Sequence, residues 1–158
     1  MIHMTSEILL RAVTEADLPI FFEHQLDPDA TAMAAFPSRD RDAFMAHWAK
    51  IMADDSIVTK TVLFDGQVAG NVVSFELGVE REVGYWIGKE FWGKGIATQA
   101  LTEFLDIIKT RPLYAHVAKH NVASRRVLEK CGFIINGEDS NFSNWGGKKV
   151  QGFILKLE

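Results

Sequence analysis

Glycine weakens the interior of a strand or a helix by about 0.5–1 kcal/mol relative to alanine. The stretch YWIGKEFWGKGIATQAL, residues 85–101, nevertheless places Gly88, Gly93 and Gly95 directly ahead of a helix-like run. Bare backbone at a helix N-terminus has a use that side chains cannot supply. The first N–H groups of a helix have no intrahelical partner, and with the dipole behind them they hold phosphate. Small residues let a ligand approach and let the chain curl into an anion-binding nest. Two nucleotide motifs compete for this stretch and fail. Gly88 to Lys94 fit the opening of a P-loop, but Gly95 stands where the Mg²⁺-binding hydroxyl belongs. In the dinucleotide fingerprint, Gly93-x-Gly95-x-x-Thr98 lacks the third glycine, and the surroundings are no strand–helix–strand unit with its acid in place.

A third motif fits. WGKGIATQAL (92–101) resembles the pyrophosphate loop of the GNAT superfamily of N-acetyltransferases, Gln/Arg-x-x-Gly-x-Gly/Ala, with Gly95 and Ala97 at the small positions. Trp92 stands where Gln or Arg is usual, a departure shared with the branch resembling ribosomal-protein N-terminal acetyltransferases. Downstream, HNVASRRVLEKCGF (120–133) resembles the block Asn-x-x-Ser-x-Arg-(Val/Leu)-Leu-Glu-Lys-x-Gly-Phe, and EVGYWI (82–87) resembles the family's fourth strand. The three motifs keep family order and spacing within residues 60–135. The resemblance implies an α+β (mixed α/β) GNAT fold. Its central twisted sheet would be mixed, mostly antiparallel, of about six or seven strands, with helices on both faces. It also implies acetyl-CoA as co-substrate and an amine as acceptor.

Roles follow from the resemblance. Trp92 and the backbone N–H groups of Gly93, Lys94, Gly95, Ile96, Ala97 and Thr98 would surround the CoA pyrophosphate. Trp86, Ile87 and Gly88 would offer strand groups to the pantetheine arm and the thioester carbonyl, where an aligned N–H stabilises an oxyanion. Asn121 is implied as a CoA contact, although Asn is also a favoured helix N-cap. Arg125, with Arg126, would meet the CoA 3′-phosphate or face solvent.

Two side chains are candidates for the chemistry itself. An acceptor amine is mostly protonated at neutral pH, and only its free base attacks a thioester. Glu82, opening the fourth strand, is the candidate base; the plainer alternative is a solvated strand-end carboxylate beside Arg81. Ser124 shares a helical stripe with Val127, Leu128 and Cys131, so its hydroxyl lies on an inward face. It is the candidate acid for the leaving thiolate, against local bonding in the first helical turn. A thiol pKa of about 8.5 asks little of that acid. His116 and His120 stand four apart as in a zinc helix, but Val117 replaces the Glu of H-E-x-x-H and the segment straddles a strand end. No metal is expected. Cys131 reads as a core residue rather than a nucleophile.

These residues need elements to hold them. EILLRAV (7–13) reads as a strand. Thr14 with Asp17 resembles a capping box, and Pro19 predicts a short or distorted first turn for the helix that follows. Residues 27–37 read as a loop or irregular helix. Phe44, Trp48 and Ile51 mark a helix within 38–55. Asp65-Gly66 is a strong hairpin signal between strands 56–64 and 67–77. Strand 81–88 leads through the glycines into a helix over 95–109, with Leu101, Phe104, Leu105 and Ile108 on one stripe. A strand at 113–119, a helix over 121–132 stopped by Gly132, and a strand pair at 133–138 and 148–158 complete the chain.

The 158 residues are 47% hydrophobic and 24% charged, an ordinary globular composition that reads as one domain, 1–158. One cysteine precludes an internal disulfide framework and fits a reducing, cytoplasmic setting. The N-terminus lacks a signal-peptide pattern, and no apolar run approaches the ~18 residues of a membrane helix. A net charge of −4 hides an asymmetry, net −8 over residues 1–82 and +4 over 83–130. A pI of 5.7 and the lack of a nucleic-acid motif argue against a nucleic-acid partner. The acceptor pocket is expected among the N-terminal helices, their connection at Asp27–Arg39, and the loop around Trp145. Glu15, Asp17, Glu23, Asp27, Asp29, Asp40 and Asp42 crowd that half, so a cationic acceptor is expected. The expected function is direct acetyl transfer to a primary amine by a monomer or homodimer. The alternative is a CoA-binding regulatory module without turnover.

Overall fold

A computed structural model describes residues 7–142 and 149–158. The chain runs β1 (Ile8–Arg11), α1 (Leu18–Gln25), α2 (Pro28–Ala34), α3 (Arg41–Ala53), β2 (Val58–Phe64), β3 (Gln67–Leu77), β4 (Glu80–Ile87), α4 (Ile96–Ile107), β5 (Leu113–Ala118), α5 (Val122–Lys130), β6 (Ile134–Phe142) and β7 (Val150–Leu157). The strands form one seven-stranded sheet in the order β1-β2-β3-β4-β5-β7-β6. Neighbours are antiparallel except β4 and β5. This is the mixed, mostly antiparallel sheet expected from the sequence.

Alternation along β3 builds two cores. Val72 points into one, where α4 presents Ile96, Ala100, Leu101 and Phe104 and α5 adds Leu128. Val73 packs toward the other, where α1 and α3 stack Phe21, Phe22, Phe44 and Trp48. Helices therefore cover both faces. Burying each large apolar side chain of α4 contributes about 1.5–3 kcal/mol, which clamps the helix and its N-terminus to the sheet.

Local signals act as their chemistry requires. Asp65 and Gly66 take φ of 50° and 83°, the left-handed pair of a tight hairpin turn. The Asp17 carboxylate accepts the Thr14 N–H at 2.9 Å, and a single 3-10 turn precedes α1, which admits Pro19 in its first turn. Two spans differ from expectation. Residues 27–37 contain a true helix, α2, because the Asp27 carboxylate caps the N–H groups of Asp29 and Ala30. β6 runs on to Phe142, since its pairing with β7 continues to Phe142↔Val150. The expected loop around Trp145 lies outside the described residues.

One irregularity positions everything that follows. β4 and β5 pair only at Arg81↔Leu113 and Glu82↔Tyr114. Beyond Glu82 the ladder stops and a gap opens between two parallel strands.

Candidate active site

The gap exposes one edge of β4, and the β3 ladder decides which groups lie on it. The Gly88 N–H donates to Ala69 O at 2.9 Å, and Trp86 stands opposite Asn71. Antiparallel pairing alternates. Gly84, Trp86 and Gly88 therefore turn their backbone groups toward β3, while Val83, Tyr85 and Ile87 turn theirs toward the gap. This corrects the expectation for the Trp86 and Gly88 backbones. Gly88 is glycine for another reason: a Cβ there would lie 2.6 Å from the buried His24 ring. The Ile87 carbonyl accepts the Trp92 indole N–H at 2.9 Å. Trp92 thus braces the strand end, and the Tyr85 and Ile87 N–H groups face the gap.

Two cavities meet there. The first, about 500 Å³, is lined by Ile87, Trp92, Gly93, Gly95 and the first turn of α4, with Asn121, Ser124 and Val127 across from them. The second, about 610 Å³, runs between the sheet and α1, α2 and α3, and is lined by Phe36, Arg39, Trp48, Glu82, His116 and Asp139 among others. Tyr85, Trp86, Asn121 and Ser124 line both. Ala34 of α2 also borders both, so α2 spans the junction. It is tied down at each end, by the Lys89–Asp29 ion pair and by His120 Nε2 against Ala32 O at 2.8 Å.

The first cavity ends at the glycine-led start of α4. Gly93 and Gly95 both have φ of 75°, a conformation that favours glycine, and a Cβ on either would meet nothing within 4 Å. Conformation, rather than crowding, therefore calls for glycine. Gly95 is the N-cap of α4 and offers no side chain, so the N–H groups of Ile96, Ala97 and Thr98 have no side-chain cap from it among the described residues. Lys94 and Arg125 line neither cavity. Lys94 is exposed, and Arg125 lies over the Phe153 ring with Nε 3.5 Å from Glu129. Asn121 is a true N-cap, accepting the Ser124 N–H at 3.2 Å.

The second cavity carries the titratable groups. Glu82 is 2% exposed, which excludes the solvated strand-end alternative. Arg81 turns away to Ser74 Oγ, whose hydroxyl donates to Glu82 O at 2.9 Å. Glu82 Oε1 lies 3.3 Å from His116 Nε2, and Oε2 has no hydrogen-bond partner among the described residues. The bond from Glu82 raises the His116 pKa against the opposing effect of burial, and the negative charges of Glu82, Asp139 and Glu80 add to the rise. At the junction, Tyr85 Oη and Ser124 Oγ are 2.6 Å apart. Burial pushes the Tyr85 phenol up to about 12, so it stays protonated at neutral pH.

Of the two candidates for the chemistry, Glu82 lines the second cavity and Ser124 lines both. Tyr85, His116 and Asp139 join them unannounced, because no local pattern encodes which strands will part or in what register. None of the seven acids expected to rim the acceptor pocket lines either cavity. Asp17 is buried against Arg11 and Thr61, Asp27 and Asp40 cap helices, and Asp29 holds Lys89. The carboxylates that face the second cavity are Glu82 and Asp139.

Residues 7–134 match the acetyltransferase (GNAT) domain, and the chain belongs to that family. YdaF of Bacillus subtilis (strain 168), provisionally called a ribosomal N-acetyltransferase, is 33% identical over 105 residues. That alignment takes in 62% of this chain and 57% of YdaF, so the chain spans little more than half of the relative's length. Among solved structures, spermidine N-acetyltransferase from Vibrio cholerae, crystallised with CoA and spermine, superposes with a TM-score of 0.82 at 21% identity, covering 95% of this chain and 94% of that one. RimJ of Mycobacterium smegmatis, crystallised with CoA-disulfide, superposes at 0.78 and 20% identity, covering 95% and 81%. At such identities the likeness is one of fold.

Proposed function

We propose that this chain is an acetyl-CoA-dependent N-acetyltransferase that transfers acetyl directly to a primary amine. The observation that carries the reading is the meeting, at the gap between β4 and β5, of a cavity that ends at the uncapped start of α4 and a carboxylate-bearing cavity. Family membership and the CoA-bound neighbours support the first cavity as the donor side.

The residues fit the donor. N–H groups of the loop at 93–95 and of Ile96, Ala97 and Thr98 would hold its pyrophosphate. Asn121 would border it at the far wall, and the Tyr85 and Ile87 N–H groups would meet the thioester end. Acetyl-CoA supplies an activated acyl group and a thiol leaving group of pKa about 8.5. The chain's own residues do the rest. The two cavities hold both reactants at one junction, which lowers the entropic barrier to attack. Glu82 Oε2 takes the proton from the acceptor's ammonium group, so N–H breaks and O–H forms, directly or through water. The N–H groups on the β4 edge stabilise the negative charge that develops at the carbonyl oxygen. The amine nitrogen forms the C–N bond as the C–S bond breaks; the Ser124–Tyr85 hydroxyl pair gives a proton to the departing thiolate and is restored by the second proton shed from that nitrogen. No covalent acyl-enzyme is needed.

The acceptor is a primary amine of a small molecule or a protein N-terminus, entering from the side of α1, α2 and α3. Binding is checked by thermal melting. Acetyl-CoA at 100 times its Kd should stabilise the protein by about 2.7 kcal/mol, whereas ATP with Mg²⁺ or NAD should give no shift. A larger shift with ATP would return the loop to the P-loop reading.

A further inference from the structure

Glu82 borders the second cavity, with Oε1 beside a histidine and Oε2 buried without a hydrogen-bond partner among the described residues. His116 Nε2 lies 3.3 Å from Oε1, and His116 Nδ1 lies 3.8 Å from Asp139 Oδ2. The row crosses β4, β5 and β6, and side-chain exposure rises along it from 3% to 24% to 31%. Strand pairing explains the placement. Glu82 stands opposite Tyr114, and the residue two positions on, His116, shares that face. His116 thus reaches Glu82 from a separate strand, where the parallel ladder ends.

We propose that His116 is a positioning residue for Glu82, donating from Nε2 to Oε1 so that Oε2 is left as the unpaired oxygen that takes the acceptor's proton, directly or through a bridging water. The proposal rests on the N-acetyltransferase reading. A carboxylate with so little solvent is hard to keep ionised without a donor or a cation beside it. His116 supplies both. The groups facing its ring are Glu82 and Glu80 on β4 and Asp139 on β6, while its partner across β7, Ile154, is uncharged. Among the described residues these three charged neighbours are acids and favour the imidazolium. With Oε1 fixed in this way, the carboxylate cannot swing away from the cavity, and the proton it collects goes to Oε2. His116 lines the same cavity and acts on the acceptor's proton through Glu82.

The test uses wild type, E82Q, H116L and H116Q in two measurements. The first is an imidazole NMR titration of the ligand-free protein. The His116 titration should fall to lower pH in E82Q, and an unchanged titration would overturn the pairing. The second is kcat/KM for the amine against pH at saturating acetyl-CoA. H116L should lose about 10–100-fold, the scale on which small misplacements act. Its low-pH limb should also move to higher pH, with KM for acetyl-CoA unchanged. H116Q keeps an N–H donor without the charge. It should regain most of the rate at high pH while its low-pH limb stays displaced, and it carries the test if H116L fails to fold. A wild-type profile in the histidine variants would overturn the proposal. A wild-type profile in E82Q, or no turnover with any amine, would instead overturn the reading beneath it.

Discussion

Glu82→Gln keeps the shape of the side chain and removes its capacity to take a proton. It should lower kcat by ~10²–10⁴-fold with little change in KM for acetyl-CoA, as steady-state kinetics would show. Ser124→Ala should cost less, because a thiolate leaves with little help and the Tyr85 hydroxyl remains at the junction. His116 also links the site to stability. Its pKa is raised on folding, chiefly by Glu82. Its contribution is therefore fully present below the unfolded value of about 6.5, and it is lost as pH rises through the folded value. Urea melts of wild type and H116L should differ more at low pH than at high pH; a gap that widened with pH would contradict the pairing. Asp17 shows the opposite sign. Burial pushes its carboxyl up, but bonds from Arg11, the Thr14 N–H and Thr61 outweigh burial and bring it down to about 2. Asp17→Asn should cost about 2 kcal/mol in urea unfolding at neutral pH, less than a wholly buried pair because Arg11 keeps solvent contact.

At the scale of elements, the glycine-led start of α4 was the most legible part of the sequence. Uncapped N–H groups and left-handed glycines are local properties, and local sequence encodes them. The same holds for the Asp65-Gly66 turn and the apolar stripe of α4. The parting of β4 from β5 has no local signal, because it depends on pairing between segments separated by a helix. His116 looked like half of a zinc motif for the same reason: its partner, Glu82, lies on another strand. Gly88 looked like part of the ligand site and proves to be a packing residue beneath it. The clean test of the anion site is Ala97→Leu. Gly95→Val would strain a left-handed backbone as well as fill the cavity, so lost binding would have two causes. Ala97 sits in the first turn of α4 and lines the first cavity. Ala97→Leu should abolish the acetyl-CoA melting shift and leave the ligand-free melting temperature nearly unchanged. An undiminished shift would place the pyrophosphate elsewhere.

Over the whole molecule, the acidic N-terminal half looked like an electrostatic funnel in the sequence. The fold spends four of those acids differently: Asp27 and Asp40 cap helices, Asp17 sits in a buried ion pair and Asp29 holds Lys89. Charge composition alone does not say which way a carboxylate points. The double variant Asp27→Asn, Asp29→Asn should therefore leave the salt dependence of kcat/KM for the amine unchanged, since asparagine still caps α2. A markedly weaker dependence in the variant would restore the funnel. The central claim is that the two cavities join a donor thioester to an acceptor amine under a buried carboxylate. The most direct measurement is a mass-spectrometric product screen with acetyl-CoA and a mixture of primary amines and N-terminal peptides, run with wild type and E82Q. The account predicts at least one amine heavier by a single acetyl group in the wild-type reaction, with free CoA released in equal amount and little of either from E82Q. Acetyl-CoA binding with no acetylated product from any amine would contradict it and leave a CoA-binding module without turnover.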